Sequence, residues 1–247
     1  MDTVGAVLGP LTAFVLMLLW ADNFRAVFWL AAIPALLAVA LLSFGLREPH
    51  VQRRRGKPTS PIRRENLRKL NTSYWWVVVI GALFALARFS EAFLVLQANN
   101  IGIALAYVPL VMVVMNIVYS ASAYPFGALS DHISHAKLLA LGLVVLVAAD
   151  VVLALSRHWL SLSLGVVLWG VHMGMTQGLL STMVSRTAPQ DLRGTAFGVF
   201  NLVSGLAMLV ASSVAGVLWE QWGAMSTFLG GAGFAVLALA VLGWKGR

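Results

Sequence analysis

REPHVQRRRGKPTSPIRRENLRKL, residues 47–70, is the one long polar stretch in an otherwise apolar chain. It separates two hydrophobic spans from six, and it holds nine of the seventeen Lys and Arg: Arg47, Arg53, Arg54, Arg55, Lys57, Arg63, Arg64, Arg68 and Lys69. A short loop so rich in cations stays on the cytoplasmic side of a membrane. Every other loop is then assigned by counting spans outward from this one.

The rest of the composition agrees with a membrane-embedded chain. With 60% hydrophobic residues, 11% charged residues and a mean hydropathy of +0.87, the 247 residues lack the polar surface of a soluble domain. The net charge of +8 lies in loops between apolar runs, so it reads as topology determinants and contacts to anionic lipid rather than a nucleic-acid interface. The absence of cysteine excludes disulfides, thiolate metal sites and a Cys nucleophile. The opening MDTVGAVLGP has no basic n-region, so no cleavable signal peptide is expected.

Eight segments reach the roughly 20 apolar residues that a helix needs to cross a bilayer. They run from Thr3 to Trp20, Val27 to Leu46, Tyr74 to Gln97, Ala104 to Tyr124, Leu138 to Ser156, Trp159 to Met183, Gly194 to Trp219 and Ala224 to Trp244. Long runs without period-two alternation are helices, not barrel strands. The expected fold is thus an all-α polytopic membrane protein of eight transmembrane helices: a hairpin at 1–46, a basic linker at 47–72 and a six-helix bundle at 73–247. With the linker inside, both termini are cytoplasmic. Fourteen cations then lie inside, counting Lys137, Arg186, Arg193, Lys245 and Arg247 with the nine, against Arg25 and Arg157 outside and Arg88 within a span. Eight of the nine Trp fall near span ends, where the ring favours the headgroup level.

Within the linker, Ser60 and Pro61 fit an N-cap and first helical position, with Ile62, Leu67 and Leu70 as the apolar side of a short surface helix; a solvated linker is the alternative. The two ends of the chain are also alike. At an offset of 199 residues Val4, Val15, Leu19, Trp20 and Leu30 match Val203, Val214, Leu218, Trp219 and Leu229, so the first hairpin reads as a copy of the last.

Three short motifs carry a family resemblance. GALSDHISHAK, Gly127 to Lys137, joins the fourth and fifth spans. GAVLGPLTA, Gly5 to Ala13, places Gly5 and Gly9 on one helix face ahead of Pro10, and LRGTAFG, Leu192 to Gly198, opens the seventh span. The first resembles the loop signature of the major facilitator superfamily, with Gly127 and Asp131 in place but His132, Ser134, His135 and Ala136 where basic, glycine and basic residues are usual. The second resembles the Gly-x-x-x-Gly-Pro element of many members, notably antiporters, and the third resembles the loop before the eleventh helix.

This resemblance implies a partial facilitator fold: the last hairpin of the N-terminal half plus the complete C-terminal half, matching helices five to twelve of twelve. It also implies secondary active transport of a small molecule by alternating access, with protons as coupling ion, in the cell membrane, bacterial inner membrane being the expected site. The antiporter-like element points to efflux. In the loop, Gly127 would allow close helix approach, and Asp131 would latch one conformation by accepting from a helix N-terminus or pairing with a cation; a chain-turning remnant is the alternative. Helices one to four are not represented. A start upstream of Met1 is the favoured expectation, with a homodimer or other partner chain, or a non-transporting remnant, as the others.

Charged groups at membrane depth are the first candidates for function. Arg88 and Glu91, three apart in ALARFSEAF, would share a helix face; they either bind substrate and relay a proton or simply neutralise each other. Asp150 is either a coupling acid or a solvated interfacial one. In GVHMGMTQG, Gly170, Gly174 and Gly178 form a packing stripe, with His172 and Gln177 on other faces. His172 either titrates or is a satisfied core side chain. Asn116 and Asn201 either line a cavity or bond between helices. No HExxH, GxGD, paired GxSG or nucleotide loop occurs, so neither an enzyme nor a cofactor or metal site is expected. The competing reading is a non-transporting membrane scaffold.

Overall fold

A computed structural model of the chain describes residues 2–20, 23–45 and 64–245. All described secondary structure is helical. The helices are α1 (Asp2–Leu19), α2 (Phe24–Gly45), α3 (Arg64–Arg68), α4 (Thr72–Ala87), α5 (Ala92–Asn100), α6 (Pro109–Leu129), α7 (His135–Ala154), α8 (Trp159–Thr176), α9 (Leu179–Thr187), α10 (Arg193–Trp222) and α11 (Ala224–Lys245), with short 3-10 turns at Leu105–Tyr107 and Gln190–Leu192. Among the described residues, seven stretches are long and apolar enough to span a bilayer, and Gly5–Leu19 is a shorter apolar helix. The chain is an all-helical, multi-pass membrane protein.

α7 is the centre of the bundle. It is apolar on nearly every face, as a helix surrounded by other helices must be, and Leu138, Leu139, Leu143, Leu146 and Leu153 are all sealed from the surface. It packs between α8 and α11. Small residues make this possible, because helices in lipid associate by close packing rather than by escape from water. A Cβ on Gly165 would sit 2.6 Å from Leu153 Cγ, and one on Gly170 would sit 2.7 Å from the Met115 carbonyl of α6. Two turns need glycine for its backbone. Gly102, after α5, has φ +88 and Gly223, between α10 and α11, has φ +82, both in the left-handed region that side chains disfavour.

A second cluster closes the end of the bundle where α4 begins. Tyr74 is fully buried there among Leu70, Val77, Val184, Leu192 and Phe200, and its hydroxyl donates to the Ala196 carbonyl at 2.9 Å. Within the linker, Arg64–Arg68 is helical as α3, and its Leu67, with Leu70 just beyond it, packs into this protein cluster rather than lying on a surface. Ser60, Pro61 and Ile62, and six of the nine linker cations, lie outside the described residues.

Candidate functional site

Two candidate spans are interrupted within their apolar runs, and the breaks meet. The third span is not the continuous helix expected from its apolar run: α4 stops at Ala87, Arg88 leaves helical geometry at φ −106 and ψ 86, and α5 starts at Ala92. Ser90 stabilises the interruption. Its Oγ accepts from the Ala92 N–H at 3.3 Å, and its own N–H donates to Ser212 Oγ of α10 at 3.2 Å. A backbone donor freed from the helix ladder must find such a partner inside a membrane. The sixth span breaks at Gln177 and Gly178, between α8 and α9. Gly178 has ordinary negative φ (−89), so the break there owes more to the low helix propensity of glycine than to a special conformation.

Arg88 joins the two breaks. Its Nη2 donates to Glu91 Oε1 at 2.9 Å and its Nη1 to Gln177 Oε1 at 3.2 Å. This is a correction to the sequence reading. Arg88 and Glu91 do pair, but across an interruption rather than along one helical face, which leaves the guanidinium free to reach a different span. Their side chains are 15% and 31% exposed, so the pair is accessible from one side.

The cluster sits between two cavities. Glu91 lines an open one of about 530 Å³ with Ser90, Gly205, Met208, Leu209 and Ser212. Gln177 and Gly178 line another of about 400 Å³ with Tyr119, Phe126, Gly127 and Ser130. A guanidinium held by one carboxylate and one neutral amide has an exchangeable partner. A solute carboxylate or carbonyl can replace the amide, and a proton on Glu91 weakens the other bond.

Other candidates are placed differently. Asp150 is fully buried, not solvated at the interface, and neither carboxylate oxygen has a partner among the described residues. His172 is also fully buried. Its Nδ1 must carry hydrogen, since it lies 2.7 Å from the Gly142 carbonyl, its ring stacks on Phe84 at 5.4 Å, and its Nε2 is unpartnered. Asn116 donates back to its own helix at the Met112 carbonyl, 2.8 Å away. Asn201 is exposed on α10. In the glycine stripe, Gly170 and Gly174 do press against α6, at Met115, Val118, Ser122 and Ala123, whereas Gly178 faces open space at the break.

The resemblance motifs need correction in detail. A Cβ on Gly5, Gly9, Gly127, Gly194 or Gly198 would meet nothing within 4 Å, so none mediates a close helix approach in this structure. Gly5 and Gly9 instead line an apolar groove of about 490 Å³ between α1 and α2, and α1 runs through Pro10 uninterrupted. Asp131 is exposed and makes no ion pair or side-chain hydrogen bond with a described residue. Ser134, which stands where the family signature has glycine, accepts from the Lys137 N–H at 3.4 Å and caps α7. Lys137 itself is exposed.

Sequence reasoning passed over Ser90, Ser212 and Gln97. Gln97 donates to Ser156 Oγ at 2.9 Å and to the Leu153 carbonyl at 3.3 Å, tying α5 to the end of α7. The available signal was a hydroxyl or amide inside an apolar run, but a serine in a membrane helix more often bonds its own preceding turn, as Ser120 and Ser163 do here.

Comparison with known proteins agrees with this architecture. Residues 77–246 match the Major Facilitator Superfamily. An uncharacterized MFS-type transporter of Methanocaldococcus jannaschii is 30% identical over 243 residues, covering 96% of this chain and 60% of that protein. The inner membrane transport protein YajR of Escherichia coli is 26% identical over 250 residues, covering 96% of this chain and 52% of that protein. The chain thus spans between half and three-fifths of the relatives it matches. With the family match extending over more than half of its length, the chain belongs to the Major Facilitator Superfamily.

Proposed function

We propose that this chain is the larger part of a secondary transporter of the cell membrane, which moves a small molecule by alternating access with Arg88, Glu91 and Gln177 as its polar centre. The observation that carries this reading is the junction of two interrupted spans through one guanidinium between two cavities. Irregular backbone at membrane depth is tolerated where it lines a cavity, and in transporters such interruptions mark the binding site. Proton coupling through Glu91 follows from its pairing: protonation releases Arg88, and ionisation recaptures it. Efflux rests on the Gly5–Pro10 element alone, and an inner-membrane location with both termini cytoplasmic rests on the linker charge and on the relative from Escherichia coli.

The test is proton-driven solute flux in vesicles carrying the complete transporter. Glu91→Gln should abolish dependence on the proton gradient while leaving solute exchange, and Arg88→Gln should abolish both. Unchanged coupling in Glu91→Gln removes that residue from the mechanism. The fractional coverage of both relatives also favours a second reading, a non-transporting scaffold, which predicts no flux from the purified 247-residue chain reconstituted alone.

A further inference from the structure

Asp150 makes no hydrogen bond or ion pair with the Arg88–Glu91–Gln177 cluster. Phe89 is common to the surroundings of both. It is the residue next to Arg88 within the interruption, it is 2% exposed, and its ring packs against Phe93, Trp169 and Phe228 at centroid distances of 5.2, 5.5 and 5.6 Å. On α11, a Cβ on Gly231 would be 2.6 Å from Phe89 Cε1 and 3.0 Å from Asp150 Oδ2. Gly231 thus borders both the Phe89 ring and the Asp150 carboxyl, which is fully buried and whose oxygens have no partner among the described residues.

The charged and titratable groups on the break and on the helices packed against α7 are these, and His172 Nε2 and Arg88 Nε have no hydrogen-bond partner among the described residues. On α8, His172 is bonded to the Gly142 carbonyl. On the break, Arg88 and Glu91 are bonded to each other. α11 carries no titratable side chain before Lys245, α9 offers only the exposed Arg186, and α7 itself has His135 and Lys137 at its far end. Burial without a partner disfavours a charged carboxylate and favours the neutral acid. Ionising it requires water or a cation to reach the carboxyl.

We propose that Asp150 is a proton-binding site, separate from the polar cluster, which holds its proton while Phe89 and Gly231 close over it and releases it only when the hinge between α4 and α5 opens. Opening and deprotonation would then be one event. A proton leaves the carboxyl to water as the ring moves away, and it returns before the ring can close.

The test needs no solute flux. Infrared spectra of the full chain in lipid nanodiscs at neutral pH, with ¹³C-labelled aspartate to separate Asp from Glu, should show a protonated aspartic acid carbonyl band. Asp150→Asn should lose it and Glu91→Gln should keep it. Transfer to D2O should shift the band slowly in the wild type and several-fold faster in Phe89→Ala. Absence of the band from the labelled wild type, its persistence in Asp150→Asn, or equal exchange in Phe89→Ala and wild type would each overturn the proposal. The wild-type spectrum alone decides the first point should a variant fail to fold.

Discussion

The first and last hairpins, α1–α2 and α10–α11, align at an offset of 199 residues, yet the structure treats them differently. In the last hairpin, Ser226 and Thr227 of α11 donate to the Leu218 and Ala215 carbonyls of α10 at 2.9 and 3.1 Å, and Phe228 is fully buried against Trp219 and Phe89. The residues at the same offset in α2 are Val27, Phe28 and Trp29. Trp29 is 77% exposed, and among the described residues no side-chain hydrogen bond crosses from α1 to α2. Thr12 and Ser43 bond their own helices instead. α1 attaches to the bundle at α6 and at the 3-10 turn before it, where Phe14 meets Tyr107 at 5.8 Å. Apolar content alone does not join two membrane helices, since lipid is as good an apolar neighbour as another helix. Polar side chains that bond across, and a third helix to pack against, make the difference.

Paired substitutions would break or sharpen that contrast, each read as the change in unfolding free energy of the detergent-solubilised chain by circular dichroism. Phe228→Ala should cost about 3–5 kcal/mol because it empties a fully buried site between the Phe89 and Trp219 rings, whereas Trp29→Ala should stay within about 0.5 kcal/mol. Gly231→Ala should cost about 1–3 kcal/mol by driving a methyl into the Phe89 ring, whereas Gly9→Ala, with nothing within 4 Å, should be neutral or slightly stabilising. Thr227→Val should cost about 0.6 kcal/mol for one bond between helices, and Thr12→Val nothing measurable. Equal costs within the first pair would mean that α1–α2 is as firmly packed as α10–α11.

The same contrast explains which candidate residues could be read before the structure. Arg88 and Glu91 announce themselves as charges in an apolar run, and their pairing was expected from spacing, although the geometry that brings them together is a break rather than a turn of helix. Gln177 was visible as a polar residue, but nothing in the one-dimensional pattern links it to Arg88, eighty-nine positions away. Ser212 was not visible at all, because its role is to receive a backbone N–H that a continuous helix would have used internally.

Sequence by itself determined that the chain is helical, crosses the membrane many times and belongs among facilitator-type proteins. Span length, the charge of the linker and the loop motif are local properties, set by the free energy of placing each segment in lipid or water. Only the tertiary structure decided where the spans break, that one guanidinium joins both breaks, and that Asp150 is sealed rather than solvated. Those outcomes depend on what each backbone group and carboxyl finds across the bundle, and a neighbour brought in by packing is not encoded at any fixed distance along the chain.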